Sequence, residues 1–87
     1  MKHIMYSLEN CQKCNYAKDL LSGREDIEYI TLPHDMKKWT EPQRAKVEAY
    51  NVFDHLRRTA PIFVILPSEK ILVGYLDIKR ALDDGLI

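Results

Sequence analysis

The pattern of apolar and polar positions along the chain changes period several times, and each change marks an element. "KHIMYSL" crowds β-branched, aromatic and apolar residues into a short run, which predicts a buried strand over residues 2–7. Asn10 is placed to cap a helix in which Cys14, Ala17, Leu20 and Leu21 recur at helical spacing, and Gly23 stands where that helix would stop. "IEYITL" alternates and is β-rich, so residues 27–32 read as a second strand. After a loop through "PHDMKKW", "TEPQ" is a helix start: Thr40 caps, Pro42 suits the first turn, and Gln43 completes a capping box. Ala45, Ala49, Val52, Phe53 and Leu56 then form the expected inward stripe. "PIFVIL" is continuously apolar, "PSEK" turns the chain and "ILV" returns, so residues 62–73 read as a hairpin that Gly74 breaks. A last helix follows in "DIKRALDDG", with Asp77 as cap, Ile78, Ala81 and Leu82 inward, and Gly85 past its end.

The order is β-α-β-α-β-β-α, an α/β fold. Strands separated by helices imply a parallel pair, and the hairpin adds antiparallel strands. The expectation is a small four-stranded mixed sheet flanked by helices, with residues 1–87 as a single domain. Composition adds exclusions. Apolar residues are 46% and charged residues 30% of the chain, as in ordinary globular domains. The 13 basic and 13 acidic residues cancel, which argues against a nucleic-acid or membrane-surface partner. The N-terminal "MKHIMYSLEN" has no apolar secretion core, and no apolar run nears the roughly 20 residues that span a bilayer. The expected location is therefore cytoplasmic, and a monomer is the simplest expected state.

Only two cysteines are present, Cys11 and Cys14, three apart at a strand-to-helix junction. In a reducing compartment such a pair is more often catalytic or metal-binding than structural. A helix N-terminus offers unpaired backbone N–H groups and the positive end of the helix dipole, both of which favour thiolate over thiol. Cysteines so placed have pKa values from roughly 3.5 to 7.5 instead of about 8.5. Lys13 adds a cation between them. Cys11 then reads as the exposed nucleophile, and Cys14, one turn further along the buried stripe, as the thiol that resolves a mixed disulfide. A zinc site is the competing reading, but its remaining ligands would have to come from His3, His34 and His55, which are scattered. A purely structural role for the pair is the other alternative.

Two further stretches carry information. In "RTAPIFV", Pro61 opens an apolar strand, where a proline costs no ladder hydrogen bond. A cis Ala60–Pro61 bond would leave the Ala60 backbone free to pair with a thiol peptide as an added strand; composition alone favours trans. In "VGYLD", Gly74 permits a sharp turn into a helix start whose N–H groups can receive a carboxylate.

Taken together, "CQKCNYAKDLL", "TAP" before an apolar strand and "GYLD" at a helix start resemble the glutaredoxins, element by element over nearly the whole chain. In its compact length the chain is similar to the small bacteriophage members. The resemblance implies the minimal thioredoxin fold, strand order β2-β1-β3-β4, and a cytoplasmic dithiol–disulfide oxidoreductase with no bound cofactor and with glutathione as reducing co-substrate. It places the nucleophile on Cys11 and the resolving thiol on Cys14. It implies that Thr59, Ala60 and Pro61 meet the glutathione cysteinyl backbone, and that Gly74, Leu76 and Asp77 form the site for its γ-glutamyl end. The partners implied are disulfide-containing proteins, ribonucleotide reductase among them. The chain departs from the family at three places: Gln12 and Lys13 replace the usual proline and tyrosine, Leu8 replaces a lysine, and Val73 replaces the first of two glycines. Lys13, Arg57 and Arg58 are candidates for the missing positive charge. A redoxin supplied by thioredoxin reductase is the alternative within the same chemistry, and a non-catalytic zinc-binding or adaptor domain the alternative outside it. Of the aromatic residues, Trp39 is expected as a partly exposed staple, Tyr6 under the cysteine loop, Tyr16 on the outer edge of the first helix and Tyr75 at the groove rim or packed in its turn. The three histidines are expected at the surface.

Overall fold

The computed structural model describes residues 2–87. The elements run β1 (His3–Leu8), α1 (Gln12–Leu20), β2 (Ile27–Leu32), a 3-10 turn (Met36–Lys38), α2 (Glu41–Glu48), α3 (Phe53–Leu56), β3 (Ile62–Ile65), β4 (Lys70–Val73) and α4 (Gly74–Asp83). The sheet order is β2-β1-β3-β4. β1 pairs parallel to β2 from His3 opposite Ile27 to Leu8 opposite Leu32, and antiparallel to β3; β3 and β4 form the antiparallel hairpin. The expected fold class and strand order therefore hold, with β1 one residue later than expected.

Alternation along the central strands divides the core into two layers. Met5 and Phe63 face α1 and α4 and pack with Ala17, Leu21, Ile78 and Ala81. Ile4, Tyr6, Ile62 and Val64 face the other side and pack with Trp39, Val47, Val52 and Leu56. Because both faces of β1 and β3 are covered, these strands are buried almost throughout.

The second helix is where periodicity misled. Ala45 and Ala49 are exposed, and Val47 is the buried residue of α2. The predicted single stripe through Leu56 is broken at Asn51, which adopts φ +56°, so that α3 is a separate short turn whose Leu56 is buried while Phe53 is exposed. Two interleaved helices fit the apolar residues better than one long helix can, since Val47 and Val52 cannot both face inward on one uninterrupted α-helix. The start of α2 is as expected. The Thr40 hydroxyl accepts from the Gln43 N–H at 3.3 Å, and the Gln43 side chain accepts from the Thr40 N–H at 2.9 Å. A Thr40→Ala variant is expected to lose about 1 kcal/mol, read as a lower urea midpoint; an unshifted midpoint would contradict this role.

Tyr6 lies in the same buried cluster as Cys14, with Cys11 packed against that cluster. It is fully buried and its hydroxyl donates to the Lys46 carbonyl at 2.6 Å. Trp39 is buried rather than partly exposed, with its indole N–H on the Pro33 carbonyl at 2.8 Å. His3 is half-buried, and its Nδ1 accepts from the Leu66 N–H at 3.0 Å, tying β1 to the hairpin turn. His34 is exposed and His55 half-buried.

Candidate active site

The chain leaves β1, turns through Asn10 in the left-handed region at φ +58°, and enters α1 with Cys11 as its N-cap. Asn10 is thus the turn residue and not the cap. The Cys11 sulfur takes the place of the usual cap oxygen and accepts from the Cys14 N–H at 3.2 Å. A thiolate accepts such a bond far better than a thiol, so the cap geometry and the helix dipole act on Cys11 in the same direction. Cys11 is half-buried at the surface and Cys14 is buried against the Tyr6 side of the core. The two are joined as a disulfide, with Cα atoms 5.2 Å apart, which is the oxidised form of the pair.

The second wall comes from the segment before β3. The Ala60–Pro61 peptide bond is cis, against the expectation from composition. Pro61 is buried, and its carbonyl accepts from the Gly74 N–H at 2.9 Å, which joins this segment to the start of α4. Gly74 holds φ +87°, a conformation a side chain resists, although a Cβ there would meet nothing within 4 Å. The helix begins at Gly74, with Val73 as N-cap. Asp77 is therefore not the cap expected from the sequence. It lies in the first turn and its carboxylate reaches back to accept from the Val73 N–H at 3.1 Å.

Two adjoining clefts result. One, of about 270 Å³, is lined by Cys11, Leu8, His34, Arg58 and Ala60 among others; the second, of about 460 Å³, is lined by Tyr16, Val73, Gly74, Tyr75 and Leu76. Lys13 and Thr59 line both. Of the candidate residues, Cys11, Lys13, Thr59 and Ala60 thus converge at the sulfur, and Gly74 and Leu76 lie beyond. Pro61 sits behind the wall and Asp77 lines neither cleft, its carboxylate held by Val73. Arg58 faces Cys11, whereas Arg57 is turned towards Asp54 and over the Phe53 ring. The charged side chains lining the two clefts are Lys13 and Arg58, with no carboxylate. The His34 contribution escaped the sequence reading, which had only an isolated polar residue in a loop to judge by. Among the described residues, no three His, Cys, Asp or Glu side chains gather as a metal site. No described helix is long and apolar enough to cross a membrane.

No protein-family model and no curated protein sequence matches the chain. Solved structures do. The solution structure of a glutaredoxin from Brucella melitensis aligns over 98% of this chain and 82% of its own, at 25% identity and a TM-score of 0.56. The structure of an E. coli glutaredoxin aligns over 99% and 98%, at 16% identity and a TM-score of 0.50. The chain has the glutaredoxin fold. With a C-x-x-C pair able to close into a disulfide at the start of α1, this glutaredoxin-like protein is equipped as a thiol–disulfide oxidoreductase.

Proposed function

We propose that this protein reduces glutathione mixed disulfides and protein disulfides in the cytoplasm, as a monomer with glutathione as its reductant. One observation carries the reading: the Cys11 sulfur sits at the N-terminus of α1, in a cleft also lined by Lys13, Thr59 and Ala60, next to Pro61. The reduced pair begins the cycle. The Cys11 thiolate attacks a substrate sulfur, the substrate disulfide breaks, and one substrate thiolate leaves as the mixed disulfide forms. Cys14 then attacks the Cys11 sulfur, releases the second substrate thiol and leaves the Cys11–Cys14 disulfide. Two glutathione thiols return the pair to the dithiol as glutathione disulfide forms.

In the same reading the Ala60 backbone pairs with the cysteinyl unit of glutathione as a short added strand, flanked by Thr59 and Pro61. The Gly74–Leu76 turn, with the Tyr75 and Leu76 amides in the first turn of α4, receives the γ-glutamyl carboxylate. Asp77 serves that end by position, through the turn its carboxylate braces. Lys13 and Arg58 supply positive charge for the glycyl carboxylate. Replacing either with Ala is expected to raise the Michaelis constant for glutathione; two unchanged constants would remove this assignment. Ribonucleotide reductase is the protein substrate that the resemblance implies.

A coupled NADPH assay tests the donor. Turnover with glutathione and glutathione reductase, and little with thioredoxin reductase, is expected; the reverse would make the protein a thioredoxin-reductase-dependent redoxin. Lys13 also bears on the sulfur. A Lys13→Glu change reverses an exposed charge next to Cys11, and a less readily formed Cys11 thiolate is expected, with a more negative potential. Thiolate absorbance followed against pH measures it, and superimposed titrations would remove Lys13 from the account.

A further inference from the structure

The larger cleft offers more than the backbone groups that the glutathione reading uses. Its walls are mostly apolar and aromatic. Tyr16 is 50% exposed and Leu76 is 64% exposed, two of the few large apolar side chains left open on a well-buried fold. Tyr75 lies between them and meets the Tyr16 ring edge-on at 6.2 Å between centroids. The Tyr16 ring is also fixed from the other end: Gln12, between the two cysteines, donates to the Tyr16 hydroxyl at 2.7 Å. A ring held at both ends loses little conformational entropy when a partner covers it. Lys13 and Thr59 border this shelf and the Cys11 cleft alike, so the two surfaces are continuous. The Cys11 cleft is lined by Arg58 and by no carboxylate, on a chain whose total charge is zero.

We propose that Tyr16, Tyr75 and Leu76 form a selectivity shelf for protein disulfides whose target cysteine lies in an extended segment, next to a large apolar side chain and with a carboxylate on the other flank. The proposal rests on the redox reading above and names its substrate class. The apolar side chain covers the shelf while Cys11 attacks the neighbouring sulfur, and the carboxylate meets Lys13 and Arg58. Partial burial of one leucine-sized side chain corresponds to roughly tenfold in rate constant.

Prereduced protein is mixed with symmetric disulfides of capped pentapeptides, each with one cysteine flanked by Leu or Ser on one side and Glu or Lys on the other, in both orders. Stopped-flow spectroscopy follows oxidation of the Cys11–Cys14 dithiol, which supplies both electrons to the peptide disulfide, so no further reductant takes part. Leu-flanked peptides are expected to react about tenfold faster than Ser-flanked ones, and Glu-flanked peptides faster than Lys-flanked ones by a margin that salt reduces. In Tyr16→Ser the Leu-to-Ser ratio is expected to fall towards one. Equal rates for Leu and Ser flanks in the unmodified protein would overturn the shelf; if bis(2-hydroxyethyl) disulfide still oxidised the dithiol, the redox reading would stand without it. Failure of every disulfide to oxidise the dithiol would overturn both.

Discussion

Cys11→Ser is expected to bring disulfide reduction down by on the order of 10³-fold or more, to the level of the reductant alone, because an alcohol supplies almost no anion near neutral pH. Cys14→Ser should behave differently, and the contrast is the informative part. Cys14 is buried behind Cys11 and donates its backbone N–H to the Cys11 sulfur, so on the proposed reading its side chain is expected to act only after a mixed disulfide has formed. With glutathione present in excess, a second glutathione can release a glutathione mixed disulfide without Cys14. A protein partner held on Cys11 has no such quick exit. The Cys14→Ser variant is therefore expected to keep reduction of glutathione mixed disulfides and to lose reduction of protein disulfides, with a trapped covalent complex visible under non-reducing conditions. Both activities surviving unchanged would show that Cys14 is not the resolving thiol. The Cys14 backbone N–H survives either substitution, so the cap on α1 is not what the comparison reads.

The parts of this site that the sequence announced are those fixed by local chemistry. A strand running into a C-x-x-C pair, a proline opening an apolar strand and a glycine before a helix each have a backbone reason to be where they are. Their gathering around two adjoining clefts, with Pro61 behind the wall, follows once the strand order is right. What escaped prediction depends on long-range contact. Asn10 looked like a cap because its side chain is a good acceptor; the sulfur one residue later took that role because Asn10 was needed in the left-handed turn. Asp77 looked like a cap for the same reason, but Gly74 starts the helix three residues earlier. Gln12 and Lys13 read as departures from the family pattern. In the fold one steadies the Tyr16 ring and the other borders both clefts. The Ala45 and Ala49 stripe failed because a small apolar residue is as content outside a helix as inside, whereas Val47 is not.

Tyr6→Phe is expected to cost about 1–3 kcal/mol near neutral pH, a large share of what a domain this small can hold. The reason lies at the end of α2. Of its last carbonyls, Ala45 takes the Ala49 N–H, Val47 the Val52 N–H and Glu48 the Asn51 N–H, while Lys46 takes the Tyr6 hydroxyl. Tyr6 is thus a cap delivered from the central strand across 40 residues of sequence, and Phe leaves the Lys46 carbonyl without it. Burial, with smaller contributions from Tyr50 and Glu28, pushes the Tyr6 phenol up to about 12 from the usual 10. The raised value fixes the sign of the pH dependence. The folded protein holds the proton more tightly than the unfolded chain, so the contribution is complete below pH 10 and is lost between about pH 10 and 12, to the extent of about 2 kcal/mol. The Phe variant has no such proton to lose. Urea denaturation of both proteins at pH 8 and at pH 11.5 should therefore show the gap between them closing at the higher pH. A gap of constant size would mean that the Tyr6 hydroxyl is not held as a buried donor, and that the end of α2 is secured by something else.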